Sequence, residues 1–162
     1  MIFVTVGTQL TFDRLVMAVD AWAKDHPSVD VFGQISDLGP DNYAPRHFKW
    51  SARIEPADFE RYCDEATLIV AHAGTGSIIS ALMRSKPVLV MPRRLALREH
   101  RNDHQLATVD HFKTRPGVFI ADQAHEVGPL IDAILGNTGK TKALGPFAED
   151  RLIDAVRAVI HK

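Results

Sequence analysis

The chain has 162 residues, a net charge of -1, 46% hydrophobic and 24% charged residues, and one cysteine, Cys63. That length suits one domain with a substantial core, and the composition excludes disordered and fibrous classes. The near-neutral balance excludes general nucleic-acid binding, which needs an excess of Lys and Arg to displace counterions, and a lone cysteine excludes an internal disulfide, leaving Cys63 to be read as a buried thiol.

Residues 2–6, IFVTV, are a β-branched run and read as a first strand; they lack the positive flank and long apolar segment of a signal peptide. Gly7, Thr8 and Gln9 follow. They fall where a strand hands over to a helix, so free backbone N–H groups converge at a positive helix end, and the glycine allows a ligand to approach the backbone closely. From Phe12 onward Leu15, Val16, Val19, Trp22 and Ala23 share one stripe, which predicts a helix with Thr11 or Asp13 as its cap. Strands are predicted at 31–35 and 47–50, separated by the Pro- and Gly-containing loop 36–45, and a helix at about 56–64.

The run 68–72, LIVAH, predicts a fourth strand, and the string HAGTGS at 72–77 carries it into a helix over 76–85. Gly74 and Gly76 permit the tight passage that turns several N–H groups toward one point. Thr75 and Ser77 add hydroxyls, and His72 adds a donor able to carry charge, so the loop suits a diphosphate; Ser77 could instead be only a helix cap and His72 a satisfied strand-end residue. A fifth strand at 87–91 leads into the polar loop 92–105, in which Arg93, Arg94, Arg98 and Arg101 form the one strongly basic segment. Arginine grips carboxylates and phosphates in forked pairs, and Asn102, Asp103 and Gln105 are suited to reading sugar hydroxyls.

A helix over 103–113, a strand at 117–120 and helices over 124–135 and 148–161 complete the alternation, with a Gly-rich loop at 136–146. The string GNTGKT at 136–141 ends like a nucleotide-binding P-loop, but Ile134 stands where that motif needs glycine and the string follows a helix, so it is rejected. His100, Asp103 and His104 have metal-like spacing with nothing to complete a ligand set, and no metal is expected. No apolar stretch reaches the roughly 18 residues that cross a bilayer, which makes a cytoplasmic location the expectation. Alternating strands and helices predict a doubly wound, Rossmann-like α/β domain over residues 1–162, with ligands bound beyond the carboxyl ends of its strands.

The segment 72–105, joined to the opening IFVTVGTQ, resembles the C-terminal domain of glycosyltransferase family 28, the donor-binding half of the two-Rossmann-domain GT-B fold. It is most similar to the single-domain members, namely the soluble subunit of the N-acetylglucosaminyltransferase of N-glycan assembly and bacterial exopolysaccharide glucuronosyltransferase subunits. The resemblance implies a UDP-sugar donor, bound as substrate with no cofactor. Gly7, Thr8, Gln9 and His72, Ala73, Gly74, Thr75, Gly76 and Ser77 would lie near the diphosphate. Glu99, His100, Asn102, Asp103, His104 and Gln105 would lie near the sugar, and Arg93 and Arg94 are further donor-binding candidates.

Many relatives carry a glutamate where this chain has Ser80, which matches a ribose-hydroxyl contact. Inverting transfer also needs an acceptor site and a base, and in the intact fold the second domain supplies them. The resemblance therefore implies a subunit that acts with a membrane-anchored partner holding a lipid-linked saccharide, with His72 a conceivable base. The C-terminal amphipathic helix, with Arg151, Arg157 and Lys162 off its apolar stripe, could dock that partner or pack on its own sheet. The arginine loop suggests an anionic sugar such as glucuronate. A non-catalytic nucleotide-sugar-binding module and an N-acetylglucosaminyltransferase subunit are the alternatives.

Overall fold

The computed structural model describes residues 1–137. Along them run β1 (Ile2–Thr5), α1 (Asp13–Asp25), β2 (Val31–Gln34), β3 (Lys49–Ser51), α2 (Pro56–Glu65), β4 (Leu68–His72), α3 (Thr75–Met83), β5 (Val88–Met91), α4 (His104–Phe112), β6 (Val118–Ile120) and α5 (Ala124–Asn137), with one 3₁₀ turn at Leu95–Leu97. The six strands form a single parallel sheet in the order β3-β2-β1-β4-β5-β6. Winding proceeds outward in both directions from the adjacent pair β1 and β4, which creates the topological switch point of a doubly wound sheet at their carboxyl ends. The helix predicted over 148–161 and all of the string 136–141 beyond Asn137 lie outside the described residues; Gly136 belongs to the end of α5.

Strand residues alternate between two apolar layers, as the two-residue side-chain period requires. Ile2, Val4, Leu68, Val70, Leu89 and Met91 face α1 and α5, where they meet Leu15, Val16, Val19, Val127 and Ile131. Phe3, Ile69, Ala71, Val88 and Val90 face the other way, toward Cys63 of α2, Ile78 and Ala81 of α3, and Val109 and Phe112 of α4. Every residue of β1 and β5 is buried, which is why those strands read as uninterrupted apolar runs rather than alternating ones. Cys63 is buried within this second layer, and burial, helped by Asp64, pushes its thiol up to about 11.

Two local expectations give way. Phe12 occupies the cap position of α1 and no side chain caps it; Thr11 and Asp13 instead accept hydrogen bonds from Asn42 Nδ2, at 2.9 and 3.2 Å, and tie down the 36–45 loop. Strand β3 begins at Lys49 rather than 47, because the His47 N–H is already donated to Asp20 Oδ1 at 2.7 Å. Asp20 is 1% exposed and also accepts from Tyr43 Oη, Arg46 N and the His47 ring. Burial alone would raise its pKa, but these hydrogen bonds hold the carboxyl below its ordinary value.

Candidate functional site

Both loops at the switch point adopt shapes that depend on glycine, for different reasons. Gly7 has φ 81°, a left-handed conformation that side chains disfavour. Gly74 has ordinary extended backbone, φ -87° and ψ 134°, yet an added Cβ there would overlap His72 Nε2. A Cβ on Gly7 would also press on the same ring, 3.1 Å from Cε1. The imidazole of His72 is thus seated between the two glycines. Gly76 is the exception: a Cβ there would meet nothing within 4 Å, so no packing of the described protein requires glycine at that position.

Two chambers open at this edge of the sheet and share Gly7 and Thr8 as a common wall. The first, about 430 Å³, is lined by Gly7, Thr8, Gln9, His72, Gly74, Arg93, His100, His104 and Gln105, with Val6 and Leu10. The second, about 450 Å³, is lined by Thr5, Gly7, Thr8, Gln34, Ile54, Pro56, Phe59, Glu60, Gly76, Ser77 and Ser80. Between them they collect eleven of the residues singled out from sequence, together with Ser80. The helix α3 starts here at Thr75 with Gly74, not Ser77, as its cap residue, so Ser77 is free to line the second chamber. Its first-turn amides have no acceptor within the helix.

Other predicted residues support the chambers without lining them. Ala73 is fully buried and its N–H bonds Met91 O at 3.0 Å. Thr75, the first residue of α3, lines neither chamber. Glu99 is clamped by a forked pair from Arg14, Nε to Oε1 at 2.7 Å and Nη2 to Oε2 at 2.8 Å, and its carboxylate accepts the Arg94 N–H. Asp103 accepts the Leu95 N–H, and Asn102 Oδ1 bonds the ring of His104. The Arg94 guanidinium lies 3.5 Å from Asp122.

Arg93 lines the first chamber but is only 2% exposed, and its guanidinium is already occupied. It donates to the carbonyls of Val6 at 2.9 Å, Leu10 at 2.8 Å and Thr11, and stacks over Phe12 at 4.5 Å. Its own N–H is received by Gln105 Oε1 at 2.9 Å. Arg93 therefore shapes the 7–11 loop from within. Burial lowers its pKa to about 10, and Glu99 opposes that shift.

His72 is neutral at pH 7. Burial first, then the charge of Arg93, pushes its pKa down to about 4, against a hydrogen-bonding interaction with the Thr5 backbone carbonyl, which accepts from the ring and raises it. His100 is lowered as well, by burial and then by His104 and Arg93; the two rings meet edge to face with centroids 4.5 Å apart. Nδ1 of His72, Nε of Arg94 and Nδ1 of His100 are buried with no hydrogen-bond partner among the described residues, which leaves each of them to bond water or a ligand. Among the described residues no group of three or more His, Cys, Asp or Glu is arranged to hold a metal ion.

Sequence reasoning missed the wall made by α2 and β2. Ile54, Pro56 and Phe59 enter the second chamber because α2 begins at the carboxyl edge after β3. Gln34, 2% exposed, donates to Gly7 O at 2.9 Å and Ala52 O at 3.0 Å while accepting from Thr5 Oγ1. A polar residue at the end of an otherwise apolar strand was the available signal. A larger hollow of about 780 Å³ between α1 and α5 contains none of the predicted residues.

Comparison with known proteins identifies relatives of the chain and of its fold. The human UDP-N-acetylglucosamine transferase subunit ALG13 is 30% identical over 139 residues, covering 80% of this chain and 10% of that protein. The solution structure of ALG13 superposes with TM-score 0.60 at 18% identity, over 96% of this chain and 93% of that one. MurG of Acinetobacter baumannii gives 0.60 at 18% identity, over 85% of this chain and 41% of that one. Os79 from O. sativa, solved in complex with UDP, gives 0.61 at 12% identity, over 83% of this chain and 31% of that one. These structures share the fold; the chain spans a tenth of the curated relative and less than half of MurG and Os79. The profile of the glycosyltransferase family 28 C-terminal domain matches residues 1–136, from the first strand through nearly all of α5, and the chain belongs to that family.

Proposed function

We propose that this chain binds the UDP-sugar donor of an inverting, metal-independent glycosyl transfer. In this reading the nucleoside occupies the second chamber, between the apolar wall of Ile54 and Phe59 and the hydroxyls of Ser77 and Ser80. The diphosphate lies against Gly7, Thr8 and the first turn of α3, where backbone dipoles favour an anion. The sugar extends into the first chamber toward His100, His104 and Gln105. The observation that carries the reading is Gly76: its missing side chain leaves open space in a chamber wall, and an arriving ligand gives that space a use.

In the transfer, the acceptor oxygen bonds to the anomeric carbon as the bond from that carbon to the diphosphate oxygen breaks. The electron pair leaves with UDP, and the acceptor proton passes to a base. The α3 amides favour the leaving charge. His72, neutral at pH 7, is able to accept a proton, but its seat between two glycines fits a place beside the diphosphate, and the reading assigns the base and the acceptor site to a partner. That partner is a membrane-anchored glycosyltransferase subunit presenting a lipid-linked saccharide, in exopolysaccharide assembly, so that this chain works peripherally at the inner face of the membrane. Glucuronate is the proposed sugar: of the four loop arginines only Arg93 lines the chamber, and the histidines there would meet the carboxylate.

Titration calorimetry with UDP on the wild-type chain and on Gly76→Ala tests the core of this reading. Alanine suits a helix better than glycine by up to about 1 kcal/mol, so the variant is expected to fold at least as well and to bind UDP about tenfold more weakly, roughly 1.4 kcal/mol. Unchanged affinity in Gly76→Ala overturns the assignment. Titrating UDP-glucuronate against UDP-N-acetylglucosamine decides the sugar, and a transfer assay with each subunit alone and together decides whether a partner is needed.

A further inference from the structure

The basic loop that follows β5 divides in the structure. Arg93 is consumed by backbone carbonyls, and Arg94 turns toward Asp122. Arg98 and Arg101 are exposed, line neither chamber, and have no hydrogen bond or ion pair to their guanidinium groups among the described residues. Between these two pairs stands the 3₁₀ turn Leu95–Leu97, with Leu95 48% and Leu97 53% exposed.

This exposure is built in. Leu97 N and Glu99 N bond Arg94 O at 3.1 and 3.2 Å, Arg98 N bonds Leu95 O at 2.9 Å, and Leu95 N is held by Asp103 Oδ1 at 2.8 Å. Arg98 closes the turn in the left-handed region, φ 57°. The one acidic residue inside the segment, Glu99, faces inward and is neutralised by Arg14. Outside it, Asp122 sits by Arg94, and Asp103, though exposed, is spent on the Leu95 N–H. The result is a braced, exposed turn with two exposed apolar side chains and, beside them in the chain, two cations unpaired among the described residues, in a chain whose net charge is -1.

We propose that the segment 95–101 is a contact site for an anionic bilayer surface, with Leu95 and Leu97 entering the headgroup boundary and Arg98 and Arg101 meeting lipid phosphates. Membrane-surface binding combines a few inserted apolar groups with cations that feel the negative surface potential. A stable protein interface instead buries about 800 Å² on each partner, and two leucines on a three-residue turn provide far less. The turn precedes His100 and His104, so this contact holds the mouth of the first chamber close to the headgroup plane. The inference does not depend on the donor reading, since neither leucine nor either arginine touches a chamber.

The test is co-sedimentation of the whole chain with vesicles of mixed phosphatidylglycerol and phosphatidylcholine, and with phosphatidylcholine alone. Binding is expected to the mixed vesicles, to weaken as salt is raised, and to fall about tenfold in Leu95→Ser/Leu97→Ser and in Arg98→Gln/Arg101→Gln. Thermal unfolding and UDP calorimetry on both double variants should match the wild type. Failure to sediment with anionic vesicles overturns the proposal, as does equal binding to neutral ones or binding that both variants retain. Loss of UDP-sugar affinity in the arginine variant would move those residues to the donor site, and vesicle binding that appears only with a protein partner present would make the turn a protein interface.

Discussion

The two chambers on either side of Gly7 and Thr8 are built in contrasting ways. The second has an apolar wall from α2 and hydroxyls from Thr5, Ser77 and Ser80, and its shape follows from where helices begin. The first gathers a guanidinium and three imidazoles, and it exists only because a network of buried hydrogen bonds ties the β1 and β5 loops together. The difference teaches that the second chamber takes its shape chiefly from where α2 and α3 begin, whereas gathering a guanidinium and three imidazoles around one cavity needs dedicated support. Arg93 and the Arg14–Glu99 pair provide that support rather than reaching for the ligand.

The sharpest way to break the contrast is Arg93→Met. It leaves the carbonyls of Val6, Leu10 and Thr11 without their donor, and leaving a buried acceptor unpaired costs about 1–3 kcal/mol. Urea unfolding should show a loss of that size, while Arg93→Lys, which keeps the charge without the fork, should fall between. Wild-type stability in Arg93→Met would mean that the network is incidental.

Gly74→Ala attacks the seam between the chambers. Its Cβ would overlap the His72 ring, which has little room to retreat because Gly7 closes its other side. Overpacking of this kind costs about 1–3 kcal/mol, so thermal unfolding should separate Gly74→Ala sharply from Gly76→Ala, although the two glycines stand in one motif. Equal behaviour of the two variants would remove the distinction between a glycine needed by the protein and one needed by a ligand.

A smaller effect comes from pH. His72 ordinarily titrates at 6.5, but in the folded chain it does so at about 4. Between those values the unfolded chain binds the extra proton, so stability falls as pH drops through 6.5 and stops falling on this account below about 4. At pH 5.5 the loss relative to pH 7 is about 1 kcal/mol from this group, and His72→Gln should flatten the slope of the denaturation midpoint in that window. A diphosphate bound beside the ring would favour its charged form, so UDP affinity should rise over the same interval. Affinity that is flat from pH 7 to 5.5 would place the phosphates elsewhere.

Much of this was legible in the sequence because it is local. The strands, the glycine turns and the residues directly after β1, β4 and β5 follow from apolar runs and from the rule that ligands gather at strand carboxyl ends. The role of Arg93 was not legible, since its acceptors lie 82 to 87 residues away and a buried arginine is spelled like an exposed one. The same holds for Asp20, whose bonds to the 43–47 loop delay β3. The charge of His72 also escaped, because desolvation depends on packing that no spacing encodes. The α2 wall was in reach, since the strand order sets α2 beside the switch point, but that order had to be known first.

Ser80 offers the gentlest probe, because it concerns strength of binding rather than its existence. It lies on α3 one turn after Gly76 and lines the second chamber, while its carbonyl receives Arg84 Nη1 at 3.1 Å, so its backbone is held and its side chain is free to vary. A serine hydroxyl supports one hydrogen bond to a ribose hydroxyl, whereas a carboxylate accepts two. Ser80→Glu should therefore tighten UDP binding several-fold, about 1 kcal/mol, and leave binding of inorganic diphosphate unchanged or slightly weaker through charge repulsion. Calorimetry with both ligands reads the difference. A parallel gain for diphosphate, or no gain for UDP, would show that the nucleoside does not enter the second chamber.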